Sequence, residues 1–169
     1  MKISTRKLAI SAILLAFDVI FSRVIALNLN IMKIGVGFAA EAVCAMLYGP
    51  WWTALLAALA DLVGALAFPT GAYFPGFTVT AAISGLIFGF ILHRRPVTWL
   101  RALSAATLNT VTVSWLCNTL LIAVWFSSKA YGALLAARAV QLAVMLPLQF
   151  IVIRALGASE KVFRKMSRE

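Results

Sequence analysis

Five charged side chains interrupt runs that are otherwise apolar: Asp18, Arg23, Glu41, Asp61 and Arg138. A charge at the middle of a bilayer costs about 2.5–3.5 kcal/mol on insertion scales, so each calls for a reason. Gln141 follows Arg138 by three residues, which puts both on one helix face. Thr107, Thr110, Ser114 and Asn118 recur at spacings of three and four and form a polar stripe. Phe77, Thr80 and Ser84 share one face of another segment. These residue types suit recognition of a polar ligand. An arginine fork pairs a carboxylate through two parallel hydrogen bonds, and Asn and Gln offer donors and acceptors together. Catalysis is poorly served: His93 is the only histidine, it stands in a basic turn, and no acid, base or nucleophile cluster accompanies it. Plainer roles stand beside these. Arg23 can pair with Glu41 or extend to the headgroups. The Ser and Thr residues can bond helix to helix. Asp18 and Asp61 read as hydrogen-bonded interior groups.

A second feature is the stretch Ala67–Phe77, A-F-P-T-G-A-Y-F-P-G-F. Pro69, Gly71, Pro75 and Gly76 impose a non-helical path, because proline removes a donor and glycine admits positive φ. Phe68, Tyr73, Phe74 and Phe77 add more aromatic surface than a bare connection needs. The stretch reads as a lid over a ligand site, with Tyr73, Phe74, Phe77 and Trp115 as alternative stacking rings.

These residues must be positioned by membrane-spanning helices. Of the 169 residues 63% are hydrophobic and only 12% charged, and mean hydropathy is +1.00. Soluble domains run at about 45–50% apolar and about 25% charged. The chain therefore reads as an all-α integral membrane protein with about six spans of ~20 residues in a single domain, 1–169. The spans are expected at 8–27, 35–47, 51–66, 77–92, 99–126 and 131–156, with a tight turn at Tyr48-Gly49-Pro50 and a polar connection at Asn28–Ile34. The basic start Met1–Lys7 is taken to lead into the first span rather than a cleaved leader, because the apolar run continues and more membrane follows.

Six spans put both termini on one side. Lys2, Arg6, Lys7, Arg94, Arg95, Arg101, Arg154, Lys161, Arg164, Lys165 and Arg168 fall on that side, against Arg23, Lys33, Lys129 and Arg138 on the other. The positive-inside rule makes that side cytoplasmic and puts the lid and the Asn28–Ile34 loop outside. The net charge of +10 thus reads as a topology signal with attraction to anionic lipid, not as a nucleic-acid face. There is no G-x-x-x-x-G-K-[ST], hence no visible means of hydrolysing ATP. Gly35-Val-Gly37-Phe-Ala-Ala40 matches a dinucleotide pattern by chance, without a βαβ unit. Cys44 and Cys117 read as inert buried thiols, and no metal or cofactor is expected.

Helix 1 carries Ala9, Ala12 and Ala16, and Ala12-x-x-x-Ala16 is a pattern that lets another helix approach closely. Arg23 lies seven residues beyond Ala16, on nearly the same face of a regular helix. If the alanines meet a partner and Arg23 meets a pocket, the helix must bend or unwind between them.

Tyr48-Gly49-Pro50, Ala60-Asp61-Leu62-Val63-Gly64, Gly71-Ala-Tyr-Phe-Pro-Gly-Phe-Thr-Val-Thr80 and Gly85-Leu-Ile-Phe-Gly89 together resemble the S-components of energy-coupling factor vitamin transporters. The Y-F-P-G-F-T-x-T piece is most similar to folate-specific members, and the resemblance spans essentially the whole chain. It implies a subunit that binds folate from outside, beneath the loops after helices 1 and 3. It also implies docking on the transmembrane coupling subunit EcfT, which carries two ATPase subunits, and delivery inward by reorientation in the bilayer. The alanines of helix 1 then match the docking surface. Arg23, Thr80, Asn118, Arg138 and Gln141 become candidates to read the pterin edge or meet a glutamate carboxylate. The alternatives are an S-component for another vitamin, such as thiamine or riboflavin, and a membrane assembly protein with no ligand.

Overall fold

A computed structural model describes residues 4–29, 32–69, 73–125 and 131–159, with the side chains of 27–33 left aside. Lys2, Lys129, Lys161, Arg164, Lys165, Arg168, the Phe126 end of the fifth expected span, and Thr70, Gly71 and Ala72 of the loop lie outside the described residues. Helix α1 (Thr5–Val19) runs on as a π-helical turn, Ile20–Val24. Strands β1 (Leu27–Leu29) and β2 (Met32–Ile34) come next as an antiparallel hairpin, with Leu27 opposite Ile34. Then come α2 (Phe38–Tyr48), α3 (Pro50–Ala67) and α4 (Pro75–Leu92). A long rod, Trp99–Trp125, comprises α5 (Trp99–Leu108), a π-helical stretch (Asn109–Cys117) and α6 (Asn118–Trp125). The chain closes on α7 (Tyr131–Ala137) and α8 (Ala139–Ala158).

The architecture is helical, as the apolar runs require, apart from one small hairpin where a polar connection was expected. Strand pairing satisfies backbone groups there that no helix supplies. Among the described residues, four helices are long and apolar enough to cross a membrane: Pro50–Ala67, Pro75–Leu92, Trp99–Trp125 and Ala139–Ala158. Helix α2 is apolar but shorter. The sixth expected span is not one helix. Arg138 breaks it with φ −90° and ψ 0°, while α8 runs through Pro147 without ending.

The turn between α2 and α3 shows why glycine and proline stand together there. Gly49 caps α2 at φ 87°, a conformation that side chains resist, and Pro50 opens α3 with φ already helical. Helices α3 and α4 then pack backbone to backbone. A Cβ at Gly85 would stand 2.7 Å from the Thr53 carbonyl oxygen, and one at Gly89 would collide with Pro50. Small residues permit that approach, and dispersion holds it. Phe88, Leu92, Ala102, Ala105, Ala106 and Ile153 form the fully buried centre behind this seam.

Candidate functional site

The first polar cluster begins at the end of helix 1. Within the π-helical turn, Ile25 N–H bonds back to the Ile20 carbonyl, five residues earlier. Such a turn holds one extra residue and rotates the residues beyond it by about 100°. This is how the phase conflict is resolved. Ala9, Ala12 and Ala16 stay on the exposed face, while Arg23 turns inward to Asp61. The opposite face of α1 packs on α3: Trp52 Nε1 donates to Ser11 Oγ at 2.7 Å, and Lys7 Nζ stands 3.8 Å from the Trp52 ring centre.

Arg23 Nη2 lies 2.8 Å from Asp61 Oδ1, and both side chains are largely buried. The partner considered from sequence, Glu41, instead accepts a 2.6 Å hydrogen bond from Ser84 Oγ. Asp61 Oδ2 accepts from Thr78 Oγ1 at 2.8 Å, and Thr78 shares a 2.8 Å bond with the Tyr73 hydroxyl. One chain of polar contacts therefore runs from helix 1 through α3 to α4 and the far end of the aromatic loop. Asp61 is thus the hydrogen-bonded interior group its sequence reading makes it, but its partners and the part played by Thr78 went unforeseen. The usable signal was Gly64, one turn after Asp61: a Cβ there would stand 2.9 Å from Arg23 Nε.

The rings divide into separate places. Phe74 meets Phe77 edge-on at 6.3 Å and lies 4.8 Å from Trp125, closing the loop against α6. Trp115 is elsewhere. Its indole N–H donates to the Leu135 carbonyl at 3.0 Å, tying the π-helical stretch to α7. Between these places, Thr80 Oγ1 donates to Asn118 Oδ1 at 2.7 Å.

The second cluster surrounds a tightly closed cleft lined by Thr110, Ser114, Trp115, Arg138, Gln141 and Leu142. Arg138 is only 4% exposed. Its Nε and Nη2 donate to Gln141 Oε1 at 3.0 and 2.9 Å, and its Nη1 donates to Thr119 Oγ1 at 2.9 Å. All these acceptors are neutral, and among the described residues no carboxylate comes within ion-pair distance. Guanidinium carries five N–H groups, so the fork keeps donors in hand. Its backbone sits in the bridge region, where active-site residues are often found. Arg138, Gln141 and Trp115 are thus brought together as expected, and Thr119 joins them unforeseen. Arg23 and Tyr73 belong to the other cluster, with α4 between.

Helices of this length, apolar outside and polar inside, define a multi-pass membrane protein. Residues 6–157 match the family model described as "ECF transporter, substrate-specific component", and the chain belongs to that family, a transporter component and not an enzyme. It is 34% identical over 142 residues to the folate transporter FolT of Clostridium novyi (strain NT), covering 84% of this chain and 82% of the relative. It is 29% identical over 153 residues to the folate transporter FolT of Leuconostoc mesenteroides, covering 88% and 82%. A crystal structure of FolT bound with folic acid superposes with a TM-score of 0.87 at 32% identity, covering 92% of this chain and 95% of that one.

Proposed function

We propose that this chain is the folate-binding subunit of an ATP-driven ECF importer. The observation that carries the reading is Arg138: a buried cation without a carboxylate partner among the described residues, set in the wall of a polar cleft. Burying such a charge is costly unless a ligand compensates it. Folate supplies what the site lacks, carboxylates for the arginine fork and a flat pterin for the rings. The relatives that bear the name folate transporter support this choice.

In this reading Arg138, Gln141, Asn118, Thr80 and Trp115 contact the vitamin. Arg23 and Tyr73, held through Asp61 and Thr78, shape the entrance with Phe74 and Phe77. Pockets for drug-sized ligands run at about 300–1,000 Å³, so this closed cleft must widen on entry. The loop before α4 and the break at Arg138 are the places to give. Six spans with cytoplasmic termini put that loop outside, facing incoming folate. The exposed Ala9, Ala12 and Ala16 dock on EcfT, which couples the chain to two ATPase subunits. Reorientation against EcfT then delivers the vitamin inward.

The test uses protein purified in detergent. Folic acid raises its melting temperature, and the supernatant after denaturation carries a pterin-like ultraviolet absorbance. Binding of thiamine or riboflavin in place of folate would overturn the specificity and leave the family intact.

A further inference from the structure

One buried polar group is explained neither by packing nor by the contacts around it. Asn109 is 3% exposed, and its Oδ1 has no hydrogen-bond partner among the described residues. Its amide nitrogen makes only a long contact, 3.4 Å to Gln149 Oε1. In an apolar bundle an orphaned acceptor forfeits its full desolvation cost, and natural interiors hold few. Such local violations concentrate where function requires them.

Its surroundings say what that function is. Gln149 Oε1 also accepts from Thr110 Oγ1 at 3.0 Å, and Thr110 lines the cleft. The polar pair therefore lies beneath the cleft, with Gln149 two turns along α8 from Gln141. On α8 the buried face reads Gln141, Met145, Gln149 at steps of four, so Met145 fills the layer between the cleft and the pair. Methionine is unbranched and yields readily to a new neighbour. A flat ring that entered past Arg138 and displaced Met145 would meet an acceptor that has no partner among the described residues.

We infer that Asn109 reads the ligand: its Oδ1 accepts a hydrogen bond from an N–H donor on the edge of a flat heterocycle that has displaced Met145. The inference rests on the folate reading, since the pterin ring supplies such donors at its amino group and ring nitrogen. Asn109 is then a specificity residue that costs the empty fold stability.

Asn109→Leu separates this from a structural role, because the two predict opposite signs. Folic acid titrated against purified protein in detergent should bind about tenfold or more weakly to the variant, the worth of one well-made buried hydrogen bond. The ligand-free variant should melt no lower than the parent, because an orphaned acceptor has been removed. Asn109→Ala should show the same loss of affinity. Unchanged affinity in either variant overturns the inference. So does a lower melting point of ligand-free Asn109→Leu, or failure of both variants to fold, since each makes Asn109 structural. If the parent chain itself fails to bind folic acid, it is the folate reading that has failed.

Discussion

Arg23 and Asp61 are 38 positions apart, yet the guanidinium of one lies 2.8 Å from the carboxylate of the other. Three local features make that meeting possible. The π-helical turn rotates Arg23 off the exposed face of helix 1. Gly64 leaves space for its side chain against α3. Thr78 occupies the second carboxylate oxygen, so Asp61 is satisfied on both sides. The pair thereby joins helix 1 to α3, and through Thr78 to α4.

Breaking one side of this pair is expected to destabilise the fold. Asp61→Leu removes the carboxylate that faces both the largely buried Arg23 and Thr78. Both side chains keep some exposure, so the loss is put at about 2–3 kcal/mol, below the ~3–5 of a fully buried pair. The double variant Arg23→Met/Asp61→Leu should regain more than half of it, since no charge is then stranded. Thermal unfolding in detergent measures both. A double variant no more stable than Asp61→Leu alone would show that the loss arises elsewhere.

Arg138→Ala should weaken folate binding by about 30-fold or more, the usual cost of removing one member of a buried charge pair. Arg138→Lys should restore only part, because an ammonium lacks the planar fork. Equilibrium titration reports the difference. Wild-type affinity in Arg138→Ala would remove the residue from the site.

How far the sequence carries depends on where each feature originates. Apolar runs specify helices locally, so α2, α3, α4 and the long rod lie where hydropathy puts them, within a few residues. The break at Arg138 does not arise locally. Arginine is a good helix former, and what marks the position is a side chain that reaches across to Thr119 on α6. Pro147, the stronger local signal, sits inside an uninterrupted α8. The π-helical turn is equally silent: nothing in I-F-S-R-V asks for it, and it accompanies the contact between Arg23 and Asp61. Membrane depth alone made Glu41 as good a partner for Arg23. Gly64, one turn from Asp61 on the same helix, leaves the space that the Arg23 side chain occupies.

His93 gives a pH dependence that can be checked. Its ring packs on Gly49, and its Nδ1 lies 3.3 Å from the Ala45 carbonyl. Burial lowers its pKa from the ordinary value, and the hydrogen bond only partly opposes this. The neutral ring is therefore the form the fold favours. Its contribution is present above about pH 6.5, the unfolded value, and is lost as pH falls through the lower folded pKa. Melting temperature should decline on acidification below that range, and less steeply in His93→Gln. Parallel profiles would exclude His93 as the cause.

The alanine face of helix 1 makes the sharpest division between binding and transport. Ala12 is exposed, about 100° round α1 from the Ser11 contact with Trp52. A tryptophan at this exposed position would fill the groove a second helix would need. Ala12→Trp should therefore bind folic acid with parental affinity. In proteoliposomes with the coupling subunit and its ATPases it should import none. If binding and uptake both survive, the docking surface lies on another face. If binding falls as well, helix 1 communicates with the site through the π-helical turn, and Asp61→Leu should weaken binding in the same way.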